Sequence, residues 1–99
     1  MINHVVLFKL KDYSETEKPL IIAEMKSLLE GLQGKIGELK YIEVGVNYEL
    51  NTKSYDVALL SHFDSIGDLD KYRVHPEHKK VLARFSELRL ERAAVDFGF

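Results

Sequence analysis

The sequence predicts an α+β domain, a four-stranded antiparallel sheet with its helices gathered on one face. Three observations lead there. Apolar residues recur with period two in some segments and at helical spacing in others, in the order strand, helix, strand, strand, helix pair, strand. Connections between them are short, and right-handed crossovers then leave few arrangements of the strands. The chain has 99 residues, 45% hydrophobic and 30% charged, which supports one core and excludes two.

Residues Ile2 to Lys11 read as the first strand, with Ile2, His4, Val6, Phe8 and Leu10 on one face and Asn3, Val5, Leu7 and Lys9 on the other. Asp12, Tyr13 and Ser14 close it. Two residues compete to cap the next helix. Ser14 with Glu17 forms a capping box but places Pro19 deep in the first turns. Thr16 places Pro19 where no N–H donor is needed, so Thr16 is the expected cap. Ile21, Met25, Leu28 and Leu32 then recur at helical spacing, with Leu29 on their flank, and Gly34 is the expected stop among Gly31, Gly34 and Gly37.

Leu39 to Asn47 reads as the second strand, with Ile42, Val44 and Val46 opposite Leu39, Tyr41, Glu43 and Gly45. A polar connection, Tyr48 to Ser54 with Asn51 inside it, suits a hairpin loop. Tyr55 to Phe63 is the third strand. Ser65 with Asp68 opens a short helix, Ile66 to Val74. Pro76 disfavours helical geometry at His75 and suits the first position of a new helix, so the chain breaks there with His75 as cap. The new helix runs to about Ser86 with Val81, Leu82 and Phe85 inward. Leu88 to Phe97 is the last strand, although Leu88 to Arg92 also fits a longer helix. The whole reads as one domain, residues 1–99, of ferredoxin-like βαββαβ topology.

One feature of the pattern departs from a sheet with a wet outer face. Val5 and Leu7, Leu59 and Leu60, and Val95 and Phe97 are apolar at both parities. Helices cover one face of the sheet, and the bare face would exceed the apolar patch a monomer usually exposes. A two-fold homodimer packing sheet on sheet resolves this, with the His4/Val6/Phe8 face toward the helices and the Val5/Leu7 face toward the partner.

Composition removes several function classes. Fourteen Lys and Arg against sixteen Asp and Glu give a net charge of −2 with the signs interspersed, so nucleic acid is not an expected partner. The first strand is interrupted by His4 and Lys9 and lacks a basic leader, so neither a signal peptide nor a membrane partner is expected, and the expected location is cytoplasmic. No cysteine means no disulfide and no thiolate chemistry. Gly-rich phosphate loops and nucleophile elbows are absent as well. The Glu87/Glu91 and Arg89/Arg92 charges read as a solvated edge. Tyr41 and Tyr48 fit either a cavity mouth or the core.

Three segments carry a family resemblance: His4-Val5-Val6-Leu7-Phe8-Lys9, Tyr55-Asp56-Val57-Ala58-Leu59, and Tyr72-Arg73-Val74-His75-Pro76-Glu77-His78. The last, Tyr-x-x-His-Pro-x-His, is the most specific. With Val95-Asp96-Phe97 at the end, they resemble the stress-responsive A/B barrel (Dabb) family over nearly the whole chain. The resemblance implies a dimeric α+β barrel. One plant member of that family is a polyketide cyclase working by aldol condensation without a cofactor. By that resemblance the first-strand His is His4, the catalytic Tyr is Tyr72 and the acid/base His is His78. Two further pocket residues of the cyclase are missing here, where Val57 and Ser27 or a neighbour stand.

The candidate site is therefore His4, Tyr72 and His78, lining a small apolar cavity between sheet and helices. His78 is the candidate base because imidazole titrates near neutrality, and Tyr72 the candidate donor. Each also has a plain structural reading: His4 as a bonded core histidine, Tyr72 as an anchoring aromatic, His78 as part of a helix start. His62 reads as an interface or edge residue. A metal cluster of His75, Glu77 and His78 is poor, since Glu77 cannot share a helix face with both histidines, although the resemblance leaves a divalent ion near the dimer seam open. No metal or cofactor is expected. The leading expectation is a homodimer binding a small hydrophobic ligand. The alternatives are a cofactor-independent cyclase or lyase-type enzyme using His78 and Tyr72, and a stress-associated structural or assembly protein.

Overall fold

The computed structural model describes residues 1–49 and 53–99. Its elements are β1 (Ile2–Leu10), α1 (Glu17–Glu30), β2 (Tyr41–Val46), β3 (Val57–Phe63), α2 (Ile66–Val74), α3 (Pro76–Leu88) and β4 (Arg89–Gly98). The sheet has four strands in the order β2-β3-β1-β4, each antiparallel to its neighbour, with the helices over one face. This is the ferredoxin-like arrangement the element order predicts.

Local chemistry explains the boundaries. At the start of α1 the capping bonds come from Ser14 and not from the expected Thr16. Thr16 precedes the helix, but its side chain makes no capping bond. Ser14 Oγ accepts from Glu17 N at 3.1 Å and donates to the Glu17 carboxylate at 3.0 Å, a capping box that starts two residues before Thr16. Pro19 still sits at the third helical position, where no donor is missed. The helix stops before Gly31 rather than at Gly34. Gly34 instead turns the chain beyond it at φ +87°, a conformation only glycine adopts freely. The buried residues of α1 are Ile22, Met25 and Leu29; Met25 and Leu29 were expected there, and Leu32 beyond the helix is buried too, whereas Ile21 and Leu28 are only partly buried against the core.

Ser65 caps α2 as expected, its Oγ accepting from Asp68 N at 3.1 Å. His75 is extended (ψ 135°), as the following proline demands, and its Nδ1 accepts from Glu77 N at 3.1 Å. α3 runs two residues past Ser86, so β4 begins at Arg89 rather than Leu88. Its inward stripe is His78, Val81, Phe85 and Leu88. Leu82, expected inward, is 40% exposed. β2 and β3 are shorter than the pattern suggested, and the expected turn at Asn51 lies outside the described residues.

The core fills the space between helices and sheet: Val6, Phe8, Leu10, Val57, Leu59 and Phe63 from the strands meet Met25, Leu29, Leu69, Tyr72, Val81 and Phe85 from the helices. Phe8 and Phe85 meet edge to face at 5.0 Å. Burial of each such side chain contributes about 1.5–3 kcal/mol against exposure. A buried carboxylate ties the lower end together. Asp56 accepts from Leu10 N at 2.8 Å and lies 3.1 Å from Lys18 Nζ, joining β1, the entrance to β3 and the first turn of α1.

The outer face bears out the parity argument. Val5 faces Leu60 and Val95 across the ladders, and Leu7 faces Ala58 and Ala93. Leu7, Val95 and Phe97 are 37%, 56% and 45% exposed. His62 also lies on this face, stacked on Tyr41 and tilted against Phe99 at 4.6 Å each. Tyr41 therefore belongs to the outer face and Tyr48 to the open surface, and neither joins a cavity mouth on the helical side or the core.

Candidate functional site

The helices leave the inner face of β4 bare, and a cleft of about 410 Å³ opens there between the sheet and α3. Its apolar body comes from Val6, Phe8, Leu29, Leu59, Val81 and Phe85, and its polar wall from His4, His78, Ser86 and three arginines, Arg73, Arg89 and Arg92.

His4 reaches the cleft because it shares the inward parity of Val6 and Phe8. The ladder sets it opposite Asp96, and its Nδ1 bonds the Asp96 carboxylate. Asp96 in turn takes Arg73 at 2.8 Å, and Arg73 also pairs with Asp70 at 2.9 Å. His78 projects from the first turn of α3, and its Nδ1 lies 3.2 Å from the carbonyl oxygen of Arg73. A carbonyl can only accept, so this bond places the His78 proton on Nδ1. The carboxylate does the same for His4. In both rings Nε2 is then the nitrogen with the free lone pair.

Burial lowers the pKa of each imidazole below its ordinary 6.5. For His4, the bond to Asp96 and its charge oppose that shift, while Arg73 and Arg92 reinforce it. For His78, the Arg73 carbonyl opposes it, and charge on His4, Arg92 and Arg73 reinforces it. Both rings are therefore neutral at pH 7 and able to accept a proton.

Tyr72 is placed differently from the expectation of a cavity-lining donor. It is fully buried behind the cleft wall, its ring 4.2 Å from that of His78 and 6.2 Å from that of His4, and it is not among the lining residues. Its hydroxyl has no hydrogen-bond partner among the described residues, and burial pushes its pKa up to about 12. It is held protonated, as a donor without an acceptor.

Sequence reasoning missed Asp96 as the partner of His4 and Arg73 as the partner of Asp96, and it assigned Arg89 and Arg92 to a solvated edge. A signal for Asp96 was present: a lone carboxylate inside Ala93-Ala94-Val95-Asp96-Phe97 needs a partner. Among the described residues no three His, Asp or Glu side chains gather closely enough to hold a metal ion, and no helix is long and apolar enough to cross a membrane.

The family model of the stress responsive A/B barrel domain matches residues 2–99. The chain belongs to that family. An uncharacterised Streptomyces coelicolor protein is 33% identical over 87 residues, covering 88% of this chain and 89% of the relative. The stress-response A/B barrel domain-containing protein DABB1 of Arabidopsis thaliana is 26% identical over 102 residues, and this Dabb chain spans only 46% of its length. Among solved structures, a protein of unknown function from Bacteroides fragilis, described as dimeric and of ferredoxin-like fold, is 36% identical, with 99% of this chain and 95% of that one covered at a TM-score of 0.89.

Proposed function

We propose that this Dabb chain works as a homodimer in which each protomer's cleft binds a small, largely apolar molecule. The cleft itself carries the reading: an apolar hollow of about 410 Å³ with a few polar groups on one wall is the usual form of a small-molecule site. The dimer is supported by the apolar outer face and by the dimeric description of the Bacteroides fragilis relative. Native mass spectrometry of the purified protein tests both parts. The expected spectrum is a dimer carrying up to two small molecules. A folded monomer, or a dimer that takes up no small apolar compound at millimolar concentration, would count against the reading.

A second reading, proton transfer on an enolisable carbonyl compound, is favoured by the bond from His78 Nδ1 to the Arg73 carbonyl, which fixes that ring's tautomer and leaves Nε2 free to take a proton. In it, His78 Nε2 takes the carbon-bound proton and the electron pair moves onto the carbonyl oxygen. The Tyr72 hydroxyl donates to that oxygen, which needs the ligand to reach past the His78 ring. His78→Ala separates the readings once a ligand is known. Lost turnover with retained binding supports the enzyme, and unchanged turnover removes His78 from the chemistry.

A further inference from the structure

The cleft carries an excess of positive charge that the chain as a whole does not. Net charge is −2, yet three of the four arginines line this one hollow and no carboxylate residue lines it. Arg84, the one elsewhere, pairs with Glu24 and Glu87, and Arg73 is taken by Asp70 and Asp96. Arg89 and Arg92 pair with no carboxylate among the described residues.

Their placement is not what strand periodicity gives. Residues three apart on a strand point to opposite faces. The register between β1 and β4 shifts between Lys9 and Leu10, so that Phe8 lies opposite Arg92 and Leu10 opposite Arg89. The extra residue turns both guanidinium groups to the face of Phe8 and Leu10, at the mouth of the cleft. Bulges re-aim side chains in this way beside binding sites. A solvated edge would need no such correction.

We propose that the cleft takes a small apolar carboxylate, its tail among Val6, Phe8, Leu29, Val81 and Phe85 and its carboxylate on Arg89 and Arg92. The inference rests on the small-molecule reading and adds the ligand's chemical class. A guanidinium fork matches a carboxylate in geometry as well as charge, and a neighbouring apolar wall strengthens the pair by excluding water.

The test compares acids with their uncharged amides: hexanoate against hexanamide and phenylacetate against phenylacetamide, titrated into the intact protein by NMR at low salt. The expected result is acids binding about tenfold tighter, with the preference reduced to about threefold or less in R89Q and R92Q. Amide affinity should fall less than acid affinity in those variants, because an amide oxygen accepts a hydrogen bond from a guanidinium but carries no charge. Arg92 is exposed and Arg89 half-buried, and circular dichroism checks that each variant keeps the fold. Equal binding of acids and amides, or an acid preference that survives both substitutions, would overturn the carboxylate and leave the cleft as a neutral site. Binding of none of the four would overturn this inference together with the cleft reading. Inorganic phosphate binding as tightly as hexanoate would also overturn it, since the tail would then contribute nothing.

Discussion

His4 and His78 look alike in composition and differ in how each is held. One ring leans on a carboxylate from the neighbouring strand, the other on a backbone carbonyl of the preceding helix. Both are depressed below 6.5 in the folded chain, so the unfolded chain binds more protons just below that value. Their contribution to stability is complete above about pH 6.5 and falls as the pH drops below it. Thermal unfolding between pH 7.5 and 5.5 should show Tm decreasing on acidification, at most about 1.4 kcal/mol per pH unit for each imidazole. His4→Gln and His78→Gln should each flatten the profile, and a wild-type Tm independent of pH over that range would refute the assignment. Tyr72 gives a prediction of opposite sign. A buried hydroxyl without a partner costs about 1–3 kcal/mol of desolvation. Tyr72→Phe should therefore leave urea stability unchanged or raise it by about 1 kcal/mol, whereas a clear loss would mean the hydroxyl has a partner in solution.

Elements are joined here by a few polar ties that decide where each begins. Ser65→Ala removes the α2 cap and should cost about 1 kcal/mol, seen as a shift of the urea midpoint without a change of slope. Asp56 matters more, because removing it strands the Leu10 N–H and the Lys18 ammonium together. Asp56→Ala should cost about 3–5 kcal/mol, the range for breaking a buried ion pair. A cost below 1 kcal/mol would show that water replaces the carboxylate at little loss. Element order, the capping at Ser65 and the break at His75-Pro76 were all legible in the sequence, since each depends on residues a few positions apart. The choice of Ile22 over Ile21 in α1 was not. Ile21 and Ile22 are equally apolar, and only packing against the rest of the core distinguishes the buried Ile22 from the partly buried Ile21.

For the whole molecule, the decisive surface is the outer face of the sheet. Val5, Leu7, Leu60, Ala93, Val95 and Phe97 form an apolar layer on the side away from the helices. Val95→Glu places a charge at its centre on an exposed position, where the protomer's own fold tolerates it. Sedimentation should show wild type as a dimer at micromolar concentration and this variant as a folded monomer. A variant that remains dimeric would move the interface elsewhere. In the proposed dimer this surface would add buried apolar area to that of each protomer's own core, a gain in stability that a 99-residue chain without disulfides has no cross-link to supply.

The sequence alone determined the order of elements, the two-faced sheet and the inward parity of His4, because strand and helix periodicities are local and survive any tertiary detail. It also carried the family resemblance through Tyr72, His75, Pro76 and His78. Only the tertiary structure decided that Asp96 meets His4, that Tyr72 stands behind the cleft wall, and that Arg89 and Arg92 face one mouth. The reason is register. A pairing between strands 92 residues apart, and a one-residue shift within it, depend on how the whole sheet closes, and no local pattern of apolar residues encodes that.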